Sequence, residues 1–308
     1  MLTVNGIDIT NAVAAVEIRE RINSGATVLK FSVLKSEAAK LKTSDKVNFF
    51  DNGKTVFNGK IYSRRINRDI AEIAAFDSLA ELKAVFPVKR NPGRADNFVK
   101  EVFALAAPYA KMGAVDSCDV LLKPDQYKTA SLLNIIYHVA GEIELKGKKF
   151  VLLDEGEGIS FRNADTLVND AVLNGGNVIG FDYEHSVLDS YNYIKLETNS
   201  SEREYSQTAV VKDEASIKEL GIRSITKKVY ENNPEQLMDM AKDMLKQKSR
   251  HKETLFVTAV GDMTVRAGSR IWCDIDGAGK FWAYVVSLRH RLEGKSRIMY
   301  LELEKCGG

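Results

Sequence analysis

The first residues to question are the four histidines, because imidazole is the commonest metal ligand and the side chain that moves protons near neutral pH. His138, His185, His251 and His290 stand in different stretches of the chain. None reads as having a second His, Cys or paired carboxylate at the spacing of a metal site. His138 falls beside an apolar helical stripe and His290 within an arginine-flanked strand, so packing or surface roles are expected for them. Cys118, Cys273 and Cys306 are far apart and form no CxxC pair, which points to a reducing compartment rather than a disulfide framework. The acidic turn Asp154-Glu155-Gly156-Glu157-Gly158 places carboxylates around glycine. It lacks the spacing and distal bidentate Glu of an EF-hand loop and reads as a solvated hairpin tip.

Other chemistries fare no better. No GxxxxGK[ST] phosphate loop, GxSxG elbow or GxGxxG after a strand occurs, and Asn174-Gly175-Gly176-Asn177 reads as a turn. A glycoside hydrolase needs two carboxylates roughly 5 to 9 Å apart. Among 42 acidic residues some pair always meets that distance, so their number carries no signal. Lys89, Arg90 and Arg94 around Pro92, and Arg289, His290 and Arg291, could touch phosphates but lack interleaved aromatics for stacking bases. Solvated faces or ion pairs are expected there. With 44 basic residues the formal net charge is only +2, which gives no global case for nucleic acid or an anionic membrane. No catalytic, cofactor or metal site is expected.

The elements around these residues are mostly strands. The last sixty or so residues alternate apolar and polar positions between Gly-containing turns, as hairpins do. Leu255, Val257 and Ala259 precede Gly261-Asp262, and Ile271, Cys273 and Ile275 precede Asp276-Gly277. Phe281, Ala283 and Val285 then share one face, while Trp282, Tyr284, Val286 and Leu288 share the other, before Glu293-Gly294. Trp272 and Trp282 flank the Asp276 to Gly279 turn and are expected in the core of this meander. Gly268, between two apolar strands, is expected to mark a tight turn with positive φ.

Residues 1–67 are also strand-rich, with Asp51-Asn52-Gly53 as the strongest hairpin turn. DKVNFFDNGKTVFNGKIYSRR there echoes SRIWCDIDGAGKFWAYVVSLRHR: a basic residue, a strand, a Gly-containing turn, and a strand reaching Ser63 or Ser287 followed by arginines. The echo predicts two related barrels. Between them, helices are predicted over Ser78–Lys83 behind an Asp77-Ser78 cap, over Asn97–Ala110, and over 129–141 ending at Gly141. A hairpin is predicted around Asp154 to Gly156, strands from Val178 to Glu197, and a helix opening at Pro234 with Leu237, Met240, Met244 and Leu245 buried. The N-terminus lacks a signal-peptide pattern, and no run approaches the ~18 apolar residues of a membrane span.

Three segments together carry a resemblance. Phe76-Asp77 with the following short helix, Lys212-Asp213-Glu214-Ala215-Ser216-Ile217-Lys218-Glu219-Leu220-Gly221, and Val260-Gly261-Asp262 with Arg266-Ala267-Gly268 resemble the hub proteins of contractile phage tails. The closest likeness is to the PBSX-like prophage hub group, related to late control D proteins and the hub part of type VI secretion spikes. The resemblance implies an α+β, mainly β chain with two tube-like antiparallel β-barrel domains, 1–78 and 251–308. An inserted α/β region, 79–147, and a mixed domain, 148–250, separate them, with a helix leading into the second barrel. It further implies a homotrimeric ring joining a sixfold tail tube to a threefold spike, without cofactor, specific nucleic-acid binding or membrane insertion. Tail-tube or tube-initiator rings, the central spike, baseplate wedge proteins and a LysM-type adaptor or tape measure are the implied partners. Assembly in a bacterial cytoplasm, into a phage or tailocin baseplate, goes with it. No catalytic residue carries over; Asp77, Gly261, Asp262 and Gly268 stand as structural positions. A particle-associated peptidoglycan hydrolase is the alternative.

Overall fold

A computed structural model describes residues 1–198, 207–229, 233–249 and 252–306. The class is α+β, mainly β, as anticipated. The chain forms two compact units: Met1–Ile143 with Lys149–Tyr183 and Leu255–Gly308, and Glu144–Lys148 with Glu184–Thr254.

The first unit opens with β1 (Leu2–Val4), β2 (Ile7–Asp8), β3 (Val13–Arg21), β4 (Val28–Leu34), the single turn α1 (Lys35–Ala38), β5 (Lys46–Asp51), β6 (Lys54–Ile66) and β7 (Ile70–Asp77). These strands run in the order β3-β4-β7-β6-β5-β1-β2. Asn52 at φ 45° and Gly53 at φ 77° close β5 onto β6, the paired positive angles of a type I′ turn. The alternation buries Val16, Ile18, Leu29, Phe31, Val47, Phe49, Phe57, Ile61 and Ile73 in one core. Each such side chain contributes roughly 1.5 to 3 kcal/mol by leaving water.

Next come β8 (Val88–Arg90), β9 (Gly93–Arg94), α2 (Ala95–Ala106), β10 (Met112–Val115), β11 (Leu121–Leu122), β12 (Asp125–Tyr127), α3 (Leu132–Glu144), β13 (Phe150–Asp154) and β14 (Ile159–Asn163). They enclose a second core around Phe98, Val102, Ile135, Ile136, Phe150 and Phe161. Gly141 does not end α3. The helix runs on because Ile143, fully buried, continues the stripe of Leu132, Ile136 and Val139. A mid-helix glycine costs at most about 1 kcal/mol, less than Ile143 gains by burial.

After β15 (Val168–Asn174) and β16 (Val178–Ser186) the chain enters the second unit: β17 (Tyr193–Thr198), β18 (Thr208–Lys212), α4 (Glu214–Leu220), β19 (Ser224–Val229) and α5 (Pro234–Lys248). Its sheet has the order β18-β17-β19. The Asn233 side chain accepts from the Glu235 and Gln236 N–H groups, with Pro234 in the first turn. Leu237, Ala241 and Met244 of α5 pack on Ile194, Leu196 and Ala209, with Met240 and Leu245 partly buried beside them. His251 lies outside the described residues.

The chain then runs through β20 (Lys252–Val260), β21 (Arg270–Ile275), β22 (Gly279–Glu293) and β23 (Ser296–Lys305). Here the sequence echo becomes a structural repeat. One hairpin pairs Lys46 with Lys60, Val47 with Gly59, Asn48 with Asn58 and Phe49 with Phe57. The other pairs Arg270 with Tyr284, Ile271 with Ala283, Trp272 with Trp282 and Cys273 with Phe281, the same positions in the same register. A bulge follows at matching places, between Ile61 and Ser63 against β7 and between Val285 and Ser287 against β23. The strand orders match as well: β3-β4-β7-β6-β5 and β16-β20-β23-β22-β21. Beyond β5 and β21 they differ, since β1 is antiparallel to its neighbour and β15 parallel. The second strand group wraps its own core of Val257, Ile271, Val285, Leu288, Leu301 and Leu303. The two repeats join in one sheet where β22 pairs antiparallel with β3, Ser287 opposite Arg21 through Glu293 opposite Ala15.

The bulge corrects one expectation. Leu288 does not share the face of Trp282 and Tyr284 but is buried with Val285, because the extra residue at Val286 inverts the alternation beyond it.

Candidate functional site

The chemically active-looking residues of the first unit meet in a buried polar junction beside the loop that joins β20 to β21. The loop is built from local devices. Gly261 donates its N–H to the Arg297 carbonyl at 3.0 Å, and a Cβ there would lie 3.1 Å from the Arg297 carbonyl carbon. Asp262 Oδ1 accepts from the Thr264 N–H at 2.9 Å and the Thr264 hydroxyl at 2.7 Å, an Asx turn that tightens the loop. Met263 then packs into the first core and Val265 into the other, so the loop is stitched to both repeats. Gly268 has φ +92°, and a Cβ would come 3.0 Å from Val151 Cγ2, so glycine is required on two counts.

Charged groups from distant elements converge on this loop. Arg266 Nε donates to Glu20 Oε1 of β3 at 2.5 Å, and the Ala267 N–H donates to Glu20 Oε2 at 2.9 Å. Arg266 also reaches the Asp154 carbonyl at 3.3 Å. Burial would lower the Arg266 pKa, but Glu20, with Asp77 and Asp154, holds it above its ordinary value. Asp154 is buried rather than solvated: Oδ2 accepts from the Ser78 N–H at 3.0 Å and Oδ1 from the Gly156 N–H at 2.7 Å. Only the outer part of that hairpin, Glu155 and Glu157, is exposed.

Asp77 is only 4 % exposed and caps the 3-10 turn Ser78–Lys83 by accepting from the Leu79 N–H at 3.1 Å. Burial pushes its pKa up to about 7; the Asp154 charge adds to the rise and a hydrogen bond from Thr27 opposes it. His290 is buried with Nε2 3.3 Å from the Val265 carbonyl. A carbonyl can only accept, so Nε2 carries the proton. Burial lowers the pKa of this ring and favours the neutral form. A raised carboxylic acid is what a general acid requires, but Asp77 faces backbone donors and is closed to substrate. What the junction does is hold β3, the β13–β14 hairpin and the β20–β21 loop together.

The remaining candidates fall elsewhere. Trp272 and Trp282 are not core residues. They are half-buried on the outer face, edge to face at 5.4 Å, because the alternation that buries Ile271, Cys273 and Ala283 turns them outward. Arg90 is buried, not solvated. It donates to Glu142 at 2.9 Å, to the Tyr127 hydroxyl at 3.0 Å and to the Lys123 carbonyl at 2.7 Å. Beside it His138 Nδ1 lies 3.6 Å from Glu142 and 3.9 Å from Asp125, and the three ligand atoms fall within 4.8 Å of one another. That grouping overturns the expectation that His138 has no carboxylates at ligand spacing; its signal was the four-residue step from His138 to Glu142 on α3. The donor set nevertheless fits the guanidinium of Arg90, which already compensates both carboxylates and which a metal would have to displace. Of the second basic cluster, Arg289 stacks on Tyr300 at 4.1 Å and Arg291 pairs with Glu293 at 2.9 Å. His185 is exposed on β16. Cys118 and Cys273 are buried and Cys306 is half-buried. Among the described residues no helix is long and apolar enough to cross a membrane.

Comparison with known proteins matches the YQBQ-like family description over residues 16–304. The uncharacterized protein YqbQ of Bacillus subtilis (strain 168) is 24% identical over 270 residues, covering 84% of this chain and 80% of the relative. Among solved structures, the tail protein of Neisseria meningitidis MC58 superposes with a TM-score of 0.76 at 17% identity, covering 99% of this chain and 96% of that one. The c3393 protein of E. coli, a type VI secretion component described as similar to the T4 tail proteins gp27 and gp5, gives 0.63 at 9% identity, covering 100% and 77%. The fold is thus that of phage tail proteins, as the three motif segments anticipate.

Proposed function

The chain belongs to the YQBQ-like family, and from that premise we propose that it is the structural hub of a contractile-tail baseplate. Three copies close a ring whose six repeats present nearly sixfold symmetry to tail-tube or tube-initiator rings above and strict threefold symmetry to a central spike below. The observation that carries this reading is the internal repeat: two hairpins in one chain with the same register, the same bulge and the same strand order around them. A chain that contains two equivalent sheets needs three copies for a six-part ring, and ring closure covers strand edges that would otherwise invite aggregation. The likeness of the whole chain to tail proteins supports the same role. Wedge proteins and a LysM-type adaptor or tape measure complete the set of neighbours, and assembly takes place in the cytoplasm of the producing bacterium.

The role is non-enzymatic. Particle-bound copies counted by mass should number three per ring, and removing the chain should abolish particles. Six copies per ring would sink the stoichiometry, and a clearing zone from the purified chain in a peptidoglycan zymogram would favour the hydrolase reading instead.

A further inference from the structure

A cavity in the first repeat has walls that the second repeat lacks. The β1–β2 hairpin turns through Asn5 at φ 50° and Gly6 at φ 81°. Asn5 ties that turn down: its Nδ2 donates to Asp45 Oδ1 at 2.9 Å, and its Oδ1 accepts from the Lys46 N–H at 3.0 Å. Between this hairpin and α1 lies a cavity of about 330 Å³. Val4, Val33 and Leu41, all buried, form its floor, and Ile7, 68% exposed, stands at its rim.

The strand orders place β20 and β21 where β4 and β5 stand. The link between β20 and β21 has no helix in place of α1, and its Met263 packs into the first core. Beside β21 runs the parallel β15, where β5 has the antiparallel β1. The cavity therefore occurs once per chain, although the sheet around it occurs twice.

Its charges are of one sign. The lining carries the carboxylates of Asp8, Glu37 and Asp45 against the single ammonium of Lys40, which Glu37 already holds at 2.9 Å. Asp8 accepts from the Thr10 hydroxyl at 2.5 Å and the Thr10 N–H at 2.8 Å, and Asp45 accepts from Asn5 and from the Lys42 N–H at 2.7 Å. These bonds hold both carboxyls below their ordinary pKa, so both stay anionic near neutral pH. A cavity apolar at its floor and anionic at its edge fits an apolar side chain flanked by cations. Apolar surface is also bare close by. Leu34, next to the lining Val33, is 61% exposed and stands opposite Ile70, which is 48% exposed. A small molecule filling the cavity would leave that pair in water, whereas a protein segment would cover it.

We propose that this cavity docks a segment of a different protein that inserts one apolar side chain with Lys or Arg on either side of it, once for each copy of this chain. The site rests on the cavity and its charges; the count of three segments per ring rests on the hub reading.

Photocross-linking tests this, with p-benzoylphenylalanine placed at Ile7 and parental melting as the check on every variant. Irradiating the purified chain with short peptides centred on Lys-Leu-Lys should give more adduct than peptides centred on Glu-Leu-Glu or Lys-Ser-Lys. Asn11→Lys, which adds a cation to the lining, should lower the yield about two- to fivefold, the size of one exposed ion pair. Ala12→Phe, which fills the cavity, should abolish the adduct. Equal yields from the three peptides, or no loss in either variant, would overturn the proposal. In assembled particles the same probe should join this chain to a different protein at an apolar residue beside Lys or Arg, with one partner segment for each copy of this chain. An adduct to a second copy of this chain, a small molecule found in the cavity by native mass measurement, or no adduct in particles that contain the chain would overturn the docking and leave the hub reading standing. Particles that lack the chain would sink the hub reading, and the peptide yields would then decide the site alone.

Discussion

At the scale of single residues, the buried polar junction makes predictions with defined signs. Asp77 titrates near 7 in the folded chain and at 3.8 in its ordinary state, so the folded chain holds the proton more tightly. The stability from this group is therefore full below about pH 4 and lost as pH rises toward 7. His290 works the other way: its pKa is lowered in the folded chain, so its contribution is lost as pH falls below 6.5. Asp77→Asn keeps an oxygen for the Leu79 cap and removes the titration. Melting curves of this variant should fall more steeply with acid between pH 6.5 and 4 than those of the parent; parallel curves would refute the assignment. The Glu20–Arg266 pair makes a second test. Arg266→Met strands the Glu20 carboxylate and should cost about 3 to 5 kcal/mol in denaturant unfolding. The Glu20→Gln, Arg266→Met double variant should cost less than the two singles added together. Gly268→Val must adopt φ +92° and press on Val151. It should lose about 1 to 2 kcal/mol from the backbone alone, and more from the contact. Ser269→Ala is not a silent neighbour, because its hydroxyl donates to the Arg266 carbonyl at 2.7 Å; about 1 kcal/mol is expected.

At the scale of elements, the β21–β22 hairpin separates packing from decoration. Ile271 is fully buried, while Trp272 beside it lies half-exposed against Trp282, with Arg270 over the Trp282 ring at 5.4 Å. The aromatic pair is worth about 0.5 to 1.5 kcal/mol beyond the area it covers. Ile271→Ala, which opens a cavity in the core, should cost about 2 to 5 kcal/mol. Denaturant midpoints should therefore rank Ile271→Ala below Trp272→Ala despite the larger volume lost from tryptophan. The reverse ranking would mean that the outer face is the covered one.

At the scale of the whole molecule, the second unit has its own core of Ile194, Leu196, Ala209, Leu237, Ala241 and Met244. Among the described residues, the three cores of the first unit are built from its own side chains. Replacing residues 187–251 by a short Gly/Ser link should therefore leave the first unit folded. Both tryptophans of the chain, Trp272 and Trp282, lie in that unit, so the cooperative loss of tryptophan fluorescence reports it alone. A featureless fluorescence melt after the replacement would show that the units fold only together.

What the sequence determined by itself is local. Asn52-Gly53 set a type I′ turn, period-two alternation put Ile271 and Cys273 on one face and Trp272 on the other without saying which face is covered, and Pro234 opened α5. Each of these follows from backbone geometry within a few residues. The echo between the two hairpins was legible for the same reason, since matching registers need matching turns. Only the tertiary structure decided the rest. The bulge at Val286 turns Leu288 inward, and alternation has no mark for an inserted residue. Asp77, Asp154, Glu20, Arg266 and His290 look like ordinary surface polars because the neighbours that bury and pair them come from distant strands. Which sheet edges are covered depends on β22 meeting β3 across most of the chain's length. Pairing between distant segments is set by burial of their shared faces, and no window of sequence contains both.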